Sequence, residues 1–115
     1  MPTHKPILFL LRAGFPDAKH GPEGAYCPEC ATVAGILHYY PDVAAQLDIR
    51  QVDVPRPRTE VVALVGEEHQ SCPVLVLAEG DQPAGVPLSM GRAFVSGPTA
   101  IVNFLADRYG TARPS

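Results

Sequence analysis

Thirteen of the 115 residues are proline, more than twice the ~5% usual in soluble chains. Their placement constrains every element the chain can form. Proline fixes φ and removes a backbone donor, so helix interiors and central strands exclude it. Most of the prolines fall between apolar runs, where they punctuate loops. Pro28 and Pro98 instead open helical patterns, and Pro73 directly precedes a strand-like one.

The segments between the prolines read as alternating strands and helices. "PILFLL" (Pro6 to Leu11) is a continuous apolar run of strand length, suited to a buried strand. Residues Arg12 to Tyr26 are rich in glycine and proline and read as a long loop. From Pro28 to Tyr40, the residues Val33, Ile36, Leu37 and Tyr40 recur at helical spacing until Pro41 stops them. "PDVAAQL" reads as a short helix capped by Asp42. "DIRQVDV" reads as a second strand, with Ile49, Val52 and Val54 alternating imperfectly.

Arg58 to Gly66 follows as a helix that turns Val61, Val62 and Val65 inward, with Gly66 as its stop. "PVLVLA" is apolar throughout, which places it centrally, and "RAFVS" can pair with it antiparallel. A closing helix begins at "SGPT", capped by Ser96 or Gly97 with Pro98 in its first turn. It buries Ile101, Phe104, Leu105 and either the stem of Arg108 or Tyr109, and ends at Gly110. The order β-α-β-α-β-β-α predicts one α/β domain over residues 1–115: a βαβ unit, a hairpin and a final helix on a four-stranded mixed sheet.

Composition narrows the function. A 46% hydrophobic and 18% charged content is a globular balance. The net charge of -3 and the lack of a basic tract give nucleic-acid binding no electrostatic support. The arginines of "PRPR", Arg56 and Arg58, read as a solvated loop rather than an anion site. No apolar run approaches the ~18 residues of a membrane span. "MPTHKPILFLL" is too short in its apolar part for a signal sequence. The expectation is a cytoplasmic protein with no membrane partner.

In a reducing compartment, three cysteines are not a disulfide framework. Cys27 and Cys30 form a Cys-x-x-Cys at the first turn of a helix. There, unpaired N–H groups and the positive dipole end favour a thiolate, while Glu29 works against it. The second thiol lies one turn on, within reach of a mixed disulfide on the first. The same spacing also serves half a metal site, or two thiols that merely pack. A strand–motif–helix–strand setting favours the redox reading.

"YCPEC" resembles the YCPxC of glutaredoxins, and "SCPVLVL" resembles their cis-proline segment. "SGPTAIVNFLADRYG" is similar to the closing helix of glutathione-transferase N-terminal domains. Together these resemble the thioredoxin-like fold over nearly the whole chain. The stretch from "PRPR" to "VALVGEEHQS" further resembles a bacterial family of that fold with no settled activity. The resemblance implies a thiol–disulfide oxidoreductase in which Cys27 attacks and Cys30 resolves. It also implies that Pro73 is cis and faces the pair, with the backbone of Cys72 holding glutathione or an extended protein-disulfide substrate. Tyr26 is placed to stack on that substrate, or simply to cover the helix.

Three departures from the pattern stand out. The loop before Cys27 is long, and loops of its length often serve as lids or binding loops. The final helix begins with Gly97 and Pro98 where the transferases carry an acidic residue and a serine, leaving the helix N-terminus and Thr99 to take a carboxylate. No all-helical second domain is present, so a complete glutathione transferase is not expected. No cofactor is required on the redox reading. The alternative is a zinc or iron–sulfur module built on Cys27, Cys30 and Cys72, with His20 or His69 as a further ligand. Another is a non-catalytic domain that binds glutathione or protein.

Overall fold

A computed structural model describes residues 5–115, so the first four residues of "MPTHKPILFLL" lie outside the described part. Five strands form one mixed sheet: β1 (Ile7–Leu11), β2 (Asp48–Val52), β3 (Val74–Val76), β4 (Leu88–Ser89) and β5 (Arg92–Ser96). Their spatial order is β2-β1-β3-β5-β4. β1 and β2 run parallel with Leu8 opposite Ile49, while β1–β3, β3–β5 and β4–β5 are antiparallel. Four helices accompany the sheet: α1 (Pro28–Tyr39), α2 (Pro41–Ala44), α3 (Thr59–Val65) and α4 (Pro98–Tyr109). None is long and apolar enough to cross a membrane among the described residues.

Strand periodicity divides the core in two. Leu8, Leu10, Leu75, Leu77, Ala93 and Val95 point to one face, where Val33 and Leu37 of α1 and Ile101 and Leu105 of α4 cover them. Phe9, Val74, Val76 and Phe94 point to the other, against Val61 and Val65 of α3. Both faces of β3 are therefore buried, which is why its sequence is apolar without alternation. It sits at the centre of the sheet, and the antiparallel pairing with β5 expected from the sequence is present.

Several expectations need correction. The sheet has five strands rather than four, because Leu88 and Ser89 pair with Ala93 and Arg92 across a turn at Met90–Gly91. Both turn residues have positive φ, 52° and 78°, which suits the turns of tight hairpins. Asp42 does not cap α2: Pro41 takes the first helical position, so the cap falls on Tyr40, which makes no side-chain cap bond. β2 ends at Val52 rather than running on to Val54. Ile49 remains 41% exposed because β2 is an edge strand. Val62 is only half-buried. Of the two expected caps for α4, Gly97 takes the position.

The long loop is not free chain. Phe15 and Ala25 pair as an isolated antiparallel bridge, exchanging N–H···O bonds of 3.1 and 2.9 Å. Gly24 permits this closure, since a Cβ there would stand 2.5 Å from the Phe15 carbonyl oxygen. The loop thus returns the chain tightly to the start of α1.

Candidate functional site

Cys27 is the N-cap of α1, with Pro28 in the first helical position as the sequence predicts. Its extended backbone turns the sulfur back over the helix end, where Sγ accepts the backbone N–H of Cys30 at 3.2 Å. One turn on, the core draws Cys30 inward. It is 5% exposed, belongs to the cluster under α1, and accepts the backbone N–H of Leu11 at the end of β1 at 3.3 Å. Burial pushes the Cys30 thiol up to about 12, partly offset by the Leu11 N–H and reinforced by the adjacent Cys27 sulfur. The pair is asymmetric: one sulfur is half-buried at the helix end, and the other is sealed and protonated. Neither is in a disulfide.

Tyr26 is 62% exposed and shares a cavity of about 250 Å³ with Cys27, Cys30, Leu11 and Ala34. An apolar groove therefore opens beside the dithiol on the side of the long loop. On the other side, a depression of about 280 Å³ lies between Pro28, Glu29 and Thr32 of α1 and Pro98 and Thr99 of α4. Gly97 caps α4 without a side-chain bond, so the helix N-terminus carries its own unpaired donors.

Cys72 and Pro73 approach from β3. The Cys72–Pro73 peptide is cis, Pro73 is fully buried, and its carbonyl accepts the N–H of Gly97 at 3.1 Å. That bond ties the start of α4 to the entry of β3, placing Gly97 beside Pro73. Cys72 is half-buried and packs on the same core cluster as Cys27. Burial pushes its thiol up, the Arg58 charge pulls it down, and the Cys27 sulfur acts against ionisation. The structure thus brings Cys27, Cys30 and Cys72 to one end of the sheet, with Tyr26, Pro73, Gly97 and Thr99 around them.

Among the described residues, no group of three or more His, Cys, Asp and Glu side chains is disposed to hold a metal ion. His20 is engaged with Asp17 in the long loop at 3.0 Å, and the ring of His69 packs on Phe94 with centroids 4.6 Å apart.

Arg58 departs from the expected solvated loop. It is not a solvated loop side chain but a half-buried one, whose Nε and Nη2 donate to the Val54 carbonyl at 3.0 and 2.8 Å and whose Nη1 donates to the Gln70 carbonyl at 2.7 Å. Gln70, 7% exposed, completes the tie by accepting the Arg58 N–H on Oε1 at 2.6 Å. The signal for this lay in two facts read separately, a proline-locked "PRPR" and a polar glutamine two residues before Cys72. Arg56 does remain exposed, reaching Ser71 Oγ at 3.4 Å.

No curated protein and no solved structure matches the chain. One family model, described as a protein of unknown function (DUF3088), matches residues 5–113, and the chain accordingly belongs to that family.

Proposed function

We propose that the chain is a thiol–disulfide oxidoreductase on a thioredoxin-like arrangement, with Cys27 as nucleophile and Cys30 as resolving thiol. The observation that carries this reading is the asymmetry of the pair: an N-cap sulfur accepting a backbone N–H, followed one turn later by a buried thiol. The strand order β2-β1-β3-β5 and the position of the motif between two parallel strands are consistent with it.

The chemistry is two exchanges. The Cys27 thiolate attacks one sulfur of a substrate disulfide, forming a mixed disulfide and expelling the first half as a thiolate that takes a proton from solvent. Cys30, losing its proton, then attacks Cys27 Sγ and expels the second half. The protein is left as the Cys27–Cys30 disulfide and the substrate as two thiols. Glutathione or a protein dithiol would return the electrons. The backbone at Cys72–Pro73 would align an extended substrate, as strand-like recognition does elsewhere. The groove beside Tyr26 would accept its apolar part.

Cys27→Ser is expected to abolish glutathione- or thioredoxin-coupled reduction of a small disulfide and of a disulfide-bonded protein. A wild-type chain inactive on both substrate types would sink the reading.

A further inference from the structure

The dithiol has a third sulfur for company, in different electrostatic surroundings. Cys27 and Cys72 both pack against the cluster that contains Cys30. The Cys27 sulfur acts electrostatically on both Cys30 and Cys72, and Cys72 acts on Cys30. Cys30 is sealed in the core, with a single backbone N–H on its sulfur and no cationic side chain acting on it. Cys72 stands beside a guanidinium. The Gln70 carbonyl that its thiol approaches at 3.8 Å is the same one that receives Arg58 Nη1 at 2.7 Å.

The Arg58 guanidinium is held there by backbone carbonyls alone. Its Nε and Nη2 donate to the Val54 carbonyl, and the Arg58 backbone N–H donates to Gln70 Oε1. Among the described residues the carboxylates pair with Arg12, Arg50, Arg108, Arg113 and His20, and none pairs with Arg58 or Arg56. A half-buried cation without a counter-ion is costly. It becomes useful if an anion forms next to it during turnover.

We propose that Cys72 is a second resolving thiol for Cys27, and that Arg58 is the positioning residue that holds it and balances the charge on its sulfur. The inference rests on the oxidoreductase reading above. Once Cys27 carries one half of the substrate as a mixed disulfide, Cys72 gives its proton to solvent and attacks Cys27 Sγ. The Cys27–Cys72 bond forms, the bond to the substrate sulfur breaks, and the substrate half leaves as a thiolate that solvent protonates. Cys27 and Cys72 are oxidised together and the substrate half is reduced. Later attack by Cys30 on Cys27 converts this disulfide to Cys27–Cys30 and frees Cys72. The oxidised chain therefore partitions between two disulfides that share Cys27.

The test uses the full reduced chain and 2-hydroxyethyl disulfide, with time points quenched by N-ethylmaleimide and read by intact-mass and peptide mass spectrometry. Wild-type chain oxidised with limiting reagent is expected to yield both linked peptides, Cys27–Cys30 and Cys27–Cys72, so the result does not depend on any substitution folding. In Cys30→Ala the mixed disulfide should rise and then decay to the Cys27–Cys72 form, whereas Cys30→Ala with Cys72→Ala should stop at the mixed disulfide. Arg58→Met on the Cys30→Ala background should slow the decay several-fold near neutral pH, because the attacking thiol loses the neighbouring charge that favours its thiolate. It should also raise the pH midpoint of the decay, and Arg58→Lys should restore much of the rate.

A mixed disulfide that persists as long in Cys30→Ala as in the double variant, with no Cys27–Cys72 peptide in wild type, overturns the role of Cys72. Slowing by Arg58→Met with an unmoved pH midpoint overturns the role of Arg58, since a merely structural loss slows the step at every pH. If no variant forms any mixed disulfide at Cys27, the oxidoreductase reading itself fails and this inference falls with it.

Discussion

The contrast between Cys27 and Cys30 comes from three residues of spacing and the direction of one helix. A helix of 3.6 residues per turn carries the second sulfur from the half-buried N-cap round to the face that meets the sheet. There it loses solvent and gains only one N–H, so its proton is held until about 12 against an ordinary 9.0. Between those pH values the unfolded chain has released this proton and the native chain has not, so the native state binds more protons and stability falls as pH rises through the window. Below about 9 the two states bind the proton alike and the contribution is intact. The urea midpoint of the reduced protein should therefore fall more steeply across this window in wild type than in Cys30→Ala. Equal slopes would show that Cys30 ionises like a free thiol. In the sequence the motif was legible as a dithiol. Which sulfur lies buried follows from the helical pattern of Val33 and Leu37, but the acceptor bond from Leu11 does not, because it spans 19 positions.

At the scale of elements, the loop before the motif shows what local pattern reading misses. Its glycines and prolines read as irregular chain, yet Phe15 and Ala25 close it as a bridge. Gly24 is the hinge of that closure, with φ +74° and room for no Cβ beside the Phe15 and Gly14 carbonyls. Gly24→Ala should cost roughly 1–3 kcal/mol from backbone strain at positive φ, plus whatever the crowded carbonyls must give up. Chemical denaturation would measure it, and a loss under about 0.5 kcal/mol, typical of a neutral surface change, would contradict the strained closure. The two-residue β4 was equally hidden. A strand that short has no periodicity to detect, and Met90 is an unusual residue to find at φ 52°. The longer elements were readable: α1 and α4 each start on a proline and run for 12 residues, with the buried side at helical spacing.

For the whole molecule, the two-sided sheet sets the energetics. Leu75 is fully buried at the centre, between the strands on either side and beneath α1 and α4, so Leu75→Ala should cost about 2–5 kcal/mol. Ile49→Ala, at the half-exposed edge, should cost well under that, and a urea titration of both variants tests whether stability is centred as the topology implies. The apolar runs and the proline positions determined by themselves that strands and helices would alternate, that β3 would be central, and that a dithiol would open a helix. These are local or periodic properties, set by backbone sterics and the face each residue presents. Only the tertiary structure decided that Arg58 leaves solvent to sit between Val54 and Gln70, and that Cys72 joins the other two thiols. Nor could any local pattern hold Gly97 against Pro73. Each of these depends on contacts between segments far apart in the chain, which the packing of the sheet creates and no neighbouring residue encodes.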